Sequence, residues 1–100
     1  MEIGMSTSTN LQSIQILKAL ADDVRLSVVR HIAKQSGLVA SCDVVQSCSS
    51  LMELSQPTMS HHLKRLVEAG VLIVEKKKTE NFYRVNRQLC EQHGVDIDRV

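Results

Sequence analysis

The stretch Leu54-Ser55-Gln56-Pro57-Thr58-Met59-Ser60-His61-His62-Leu63-Lys64-Arg65-Leu66-Val67-Glu68-Ala69-Gly70 decides how this chain is read. Ser55 is of the type that caps a helix N-terminus, its hydroxyl accepting from a backbone N–H of the first turn. Pro57 is tolerated behind it, because that turn has no intrahelical use for the missing N–H. Met59, Leu63, Leu66 and Val67 keep a helical period and form the inner side, while Gln56, Thr58, Ser60, His61, Lys64 and Arg65 take the remaining surface. His62 fits either side. Gly70 ends the helix as a C′ residue. The pattern predicts a capped helix over 56–69 with a polar, basic outer face.

Past Gly70 the period becomes extended, in Val71-Leu72-Ile73-Val74 and again in Phe82-Tyr83-Arg84-Val85. The charged connection Glu75-Lys76-Lys77-Lys78-Thr79-Glu80-Asn81 between them cannot bury itself, so the segment predicts a β-hairpin with a basic tip. Asn86 or Arg87 opens a short last helix through His93, closed by Gly94.

Upstream, Leu11, Ile14, Leu17, Leu20 and Ala21 fall on one helical face, which predicts a first helix over 11–21. Asp22 caps a second helix from Asp23 to Lys34 that buries Leu26, Val29, Ile32 and Ala33. Residues 38–49 are the least legible, being β-branched, small or Ser. Asp43 can cap a short helix over 44–52 with Val44, Val45, Cys48, Leu51 and Met52 inside. An extended start at Leu38–Ala40, pairing with the hairpin, fits as well. Residues 1–10, rich in Ser and Thr with no signal-peptide pattern, are expected to be a mobile arm before a single domain over 11–100.

A chain of 100 residues with 43% apolar and 23% charged residues has the composition of one ordinary globular domain. A domain this small buries only about 60–65% of its unfolded surface, so dimerisation is a natural supplement. No run of about 18 apolar residues exists to cross a membrane. Three cysteines without a CxxC describe no disulfide framework, so a reducing cytoplasm is expected. No phosphate loop, nucleophile elbow or metal-hydrolase motif is present, which argues against an enzyme and against a cofactor. The net charge of +1 is unevenly spread: residues 55–87 hold seven basic against three acidic side chains, while the segments on either side are net negative. A polyanion is drawn to that one segment.

These parts predict a mainly α fold with a small β-hairpin, a winged helix-turn-helix. The exposed Gln, Ser, Thr, His and Lys of the capped helix suit base edges in a major groove, and a Lys-rich tip suits phosphates or the minor groove. Only Phe82 and Tyr83 could stack on bases, which favours duplex DNA over single strands or RNA.

The string Leu54 to Leu66, followed by Glu68-Ala69-Gly70-Val71-Leu72, resembles the recognition helix and exit of the ArsR/SmtB-type repressors. Leu17-Lys18-Ala19-Leu20-Ala21-Asp22-Asp23-Val24-Arg25-Leu26 is similar to that family's opening, with Asp23 where Pro often follows the capping Asp. The resemblance covers about 11–89. It implies a homodimeric repressor on a short inverted repeat, released by an effector, with the first and last helices at the dimer interface. On that basis Gln56, Thr58, Ser60, His61 and Lys64, with Lys76, Lys77, Lys78 and Asn81 on the wing, are the candidate DNA contacts. Leu11, Ile14 and Leu17 are the candidate dimer contacts.

The family's metal sensors need several converging ligands, and neither usual pattern is intact here. Cys90 and His93, three apart on the last helix, are the only metal candidates, and two ligands are too few. Cys42, Cys48 and Cys90 are the candidates for a thiol switch. A metal- or thiol-responsive sensor of the same family, and a winged-helix module that binds protein instead of DNA, are the competing readings.

Overall fold

The computed structural model describes the backbone of residues 3–52 and 54–100, and the side chains of residues 11–48 and 54–100. Among the described residues, five helices and a three-stranded sheet follow in the order α1 (Ile3–Leu20), α2 (Asp23–Ala33), β1 (Val39–Ala40), α3 (Ser41–Met52), α4 (Gln56–Glu68), β2 (Leu72–Lys77), β3 (Glu80–Val85) and α5 (Arg87–Gln92). The sheet runs β1-β3-β2, antiparallel throughout. This is the winged helix-turn-helix arrangement: α3 and α4 form the helix-turn-helix, and β2 and β3 form the wing.

Capping sets the helix bounds. Asp22 accepts from the Arg25 N–H at 3.0 Å to start α2. Ser55 Oγ accepts from the Thr58 N–H at 3.3 Å to start α4. Asn86 Oδ1 accepts from the Leu89 N–H at 3.2 Å to start α5. Each cap satisfies an N–H that the first turn leaves without a partner. Gly70 follows α4 at φ +88, and a Cβ there would meet Leu89 Cδ2 at 2.6 Å. The left-handed backbone favours glycine, and any side chain there would also have to displace the Leu89 methyl.

The core gathers Ile16 and Leu20 from α1, Val28, Val29 and Ile32 from α2, and Val44 and Cys48 from α3. Met59, Leu63 and Leu66 from α4, together with Val71, Leu72, Tyr83 and Cys90, complete it. Val95 and Ile97, past α5, fold back and are also buried.

Boundaries differ from the sequence reading by more than a residue in α1, α3 and the hairpin. The first helix begins at Ile3, not Leu11, because no proline interrupts the Ser/Thr stretch and Gly4 falls in the first turn. The side chains of residues 1–10 lie outside the described residues, so the arm assigned there rests on sequence alone. The α1 stripe also divides: Ile16, Ala19 and Leu20 face the core, whereas Leu11, Ile14 and Leu17 stand 54%, 45% and 55% exposed.

Both readings of residues 38–52 hold together. Val39 and Ala40 pair with Tyr83 and Phe82, and the helix starts directly afterwards at Ser41. Asp43 therefore lies in the first turn of α3 instead of capping it, where its charge suits the helix dipole. Val44 and Cys48 are inside as expected; the side chains of Leu51 and Met52 lie outside the described residues. The hairpin is longer than its apolar runs, since the ladder continues through Lys76↔Asn81 to Lys77↔Glu80. The connection is thus a two-residue turn, Lys78-Thr79, with Lys78 at φ 58. Polar residues extend these strands because an isolated ribbon is solvated on both faces.

Candidate nucleic-acid interface

One inner face fixes α4 in place. Met59, Leu63 and Leu66 are buried to within 2% of complete, which turns the opposite side of the helix outward. A polar rivet sets its rotation. His62 is directed inward, its side chain 15% exposed, with Nδ1 at 3.9 Å from Asp22 Oδ2 and 3.3 Å from an Arg25 guanidinium nitrogen. Arg25 Nε also donates to the carbonyl of Ala19 at 2.7 Å, and a second guanidinium nitrogen reaches the Lys18 carbonyl at 3.5 Å. One arginine therefore links the end of α1, the start of α2 and the middle of α4. An Arg donor at Nδ1 requires that nitrogen to accept, so His62 is neutral in this arrangement. Burial lowers the His62 pKa, opposed in part by the Asp22 carboxylate. The Arg25 N–H in turn holds the Asp22 carboxyl below its ordinary value.

All nine expected DNA-contacting residues are exposed: Gln56, Thr58, Ser60, His61 and Lys64 on α4, and Lys76, Lys77, Lys78 and Asn81 on the wing. The structure brings some of them together. Gln56, Ser60 and Lys64 face Asn81 across a cleft of about 570 Å³ between α4 and the wing, floored by Leu63, Val67, Val74 and Tyr83. Thr58 and His61 stand away from this cleft, on the α4 flank opposite the wing. Thr58 Oγ1 accepts from Ser55 Oγ at 2.8 Å, so its hydroxyl also supports the cap. Arg65, absent from the expected set, places its Nε 3.3 Å from His61 Nε2. Its position one helical turn beyond His61 was the available signal.

The wing's field is less compensated than its composition suggests. Glu75 lies 3.6 Å from Arg84 Nε, and Glu80 accepts from the Cys42 thiol at 3.0 Å. Among the described residues Lys76, Lys77 and Lys78 have no carboxylate partner. Lys77 Nζ lies 5.5 Å from the centre of the Phe82 ring, a cation–π contact that steadies the wing.

The thiols do not converge. Cys42 is exposed, and its hydrogen bond to Glu80 raises its pKa. Cys48 and Cys90 are buried, and burial pushes both thiols up. Cys42 and Cys48 are six residues apart on one helix, a rise of about 9 Å, which exceeds the roughly 7 Å that a disulfide spans. Cys90 is wholly inside, while His93 Nδ1 lies 2.7 Å from Ser13 Oγ and ties the end of α5 to α1. Among the described residues no group of three or more His, Cys, Asp or Glu could hold a metal ion. Among them, too, no helix is long and apolar enough to cross a membrane.

A helix-turn-helix domain family matches residues 20–75, which span α2, the helix-turn-helix and most of β2. The chain is 37% identical over 90 residues to the arsenical resistance operon repressor of Escherichia coli, covering 90% of this chain and 73% of that one. It is 32% identical over 74 residues to an HTH-type transcriptional regulator of Methanocaldococcus jannaschii, covering 74% and 78%. In fold it is similar to the homodimeric winged helix-turn-helix DNA-binding domain from Mycobacterium bovis, with a TM-score of 0.71 at 20% identity over 89% of this chain and 78% of that one. With its helix-turn-helix, wing and these relatives together, the chain belongs to the ArsR-type winged helix-turn-helix family of transcriptional regulators, which are not enzymes.

Proposed function

We propose that the protein is a repressor that binds an inverted repeat in duplex DNA as a homodimer, with α4 in the major groove and the wing on the backbone or in the flanking minor groove. The observation that carries this reading is the outer side of α4. Gln56, Ser60, His61 and Lys64 are exposed beside a row of wing lysines that have no carboxylate partner among the described residues, while Met59, Leu63 and Leu66 of the same helix are buried. Gln and His offer hydrogen bonds to base edges, and Lys76, Lys77 and Lys78 neutralise phosphates without reading sequence. Leu11, Ile14 and Leu17 supply the dimer contact, since three large apolar side chains in water gain by covering one another.

The test is fluorescence anisotropy of the reduced protein on the duplex upstream of its own gene, against a scrambled duplex, repeated with Zn²⁺, arsenite and an oxidant. Tighter binding to the first duplex, falling roughly 10³- to 10⁵-fold between 50 and 200 mM salt for 6 to 10 phosphate contacts, is the expected result. Release by arsenite would extend to this chain what the name of its E. coli relative says. Binding that ignores both sequence and salt would reject the proposal in favour of a protein-binding module.

A further inference from the structure

A second basic cluster lies on the other flank of α4. Lys18 of α1 and Arg65 of α4 line one cleft, together with Gln15, Ala19, Arg25 and Glu68. Arg25 is committed to the carbonyls of Lys18 and Ala19 and to His62, so its charge is fixed in the wall of this cleft. Lys18 and Arg65 are both exposed, and neither has a carboxylate within ion-pair distance among the described residues. Glu68 borders this cleft and the cleft on the wing side alike, which places it on the ridge between them. It offsets part of the charge, and Asp22, beside Arg25 and His62, offsets Arg25, which leaves Lys18 and Arg65 as the exposed cations of this cleft.

The arrangement matches the shape of the proposed ligand. A helix lying in a major groove about 12 Å wide has a phosphate backbone along each of its sides. The wing lysines serve one side. Lys18 and Arg65 stand on the opposite side, between α4 and the exposed α1 stripe. We infer that Lys18 and Arg65 form a second phosphate-binding site, which holds the DNA backbone strand opposite the wing while α4 lies between the two. This inference rests on the DNA-binding reading above. It adds a DNA contact from α1, an element outside the helix-turn-helix and wing.

The experiment compares the wild-type chain, Lys18→Gln/Arg65→Gln, a wing variant with Lys76, Lys77 and Lys78 all changed to Gln, and the control Lys34→Gln. Each is titrated across salt with a random-sequence duplex of roughly 30 bp, long enough for both halves of a dimer. Light scattering and thermal melting establish that each variant keeps the fold and assembly of the wild type. Removing two phosphate-binding cations from each protomer should flatten the slope of log affinity against log salt by about 3.5, at roughly 0.9 per neutralised phosphate. The control should leave the slope unchanged. Combined with the wing variant the effects should add, because the two sets touch different phosphates. A Lys18→Gln/Arg65→Gln slope equal to wild type, with the wing variant flattened, overturns the second site and leaves the DNA-binding reading standing. A wild-type chain with no salt-dependent binding overturns both.

Discussion

On α1 a stripe of the uncovered side is apolar, Leu11, Ile14 and Leu17; on α4 the uncovered side carries Gln56, Ser60, His61 and Lys64. Both helices bury their opposite sides in the same core, yet what they leave in water is opposite in chemistry. Apolar area facing water forfeits about 25 cal/mol per Å², so the α1 side gains from any apolar cover whatever else is present. The α4 side is already solvated and has little to gain from an apolar partner, while a polyanion supplies counterion release. The contrast is the one the proposed function uses: an apolar partner for α1 and nucleic acid for α4.

Placing a charge on the apolar side should break this contrast most severely. Leu17→Asp would bury an unpaired carboxylate in each half of a symmetric contact, weakening the dimer by about 3–5 kcal/mol per charge. DNA affinity should fall with it, read by light scattering and anisotropy on the same samples. A variant that stays dimeric removes α1 from the interface. On the polar side, changing Lys76, Lys77 and Lys78 together should flatten the salt slope of a dimer by about 5 and weaken every duplex alike. Gln56→Ala should instead reduce discrimination between specific and random DNA by about 1–3 kcal/mol. Equal effects of the two changes on both duplexes would dissolve the division of labour between helix and wing.

The smallest effect sharpens the comparison at the joint between the two helices. The folded-state pKa of His62 lies below its ordinary 6.5, so the unfolded chain takes up this proton first as pH falls. Stability should therefore decline below about pH 6.5, reaching its full loss beneath the folded pKa. Asp22, shifted down from 3.8, behaves in the other window: its contribution is present at neutral pH and is lost only as pH falls below that value. Urea midpoints at about pH 7.5 and 5.5 should differ more for the wild type than for His62→Gln. Identical differences would exclude His62 as the group responsible.

The sequence was most legible where a residue has one local job. Asp22, Ser55 and Gly70 act within their own turns, and α2, α4 and the exit from α4 stand where those residues put them. In α3 the Ser-rich start is locally ambiguous, and burial of Val44 and Cys48 in the core settles what propensity left open. The ladder from Glu75 to Asn81 reads as a connection because solvated strands carry no alternation of apolar residues. The exposure of Gln56, Thr58, Ser60, His61 and Lys64 on one helix was legible for the same local reason. The placing of Lys18 and Arg65 on one cleft was not, since 47 positions of chain separate them and only the fold brings them to it.

The tip of the wing places a lysine where glycine or asparagine would be easier. Lys78 has φ 58, a left-handed backbone that costs a side-chain-bearing residue about 1–2 kcal/mol. A change to Gly should raise the melting temperature while loosening the grip on every duplex. On the proposed DNA-binding reading, thermostability and DNA retention are opposed at this residue: a variant selected for heat resistance alone would be drawn towards losing this lysine, and a screen for stability would need a binding step to keep it.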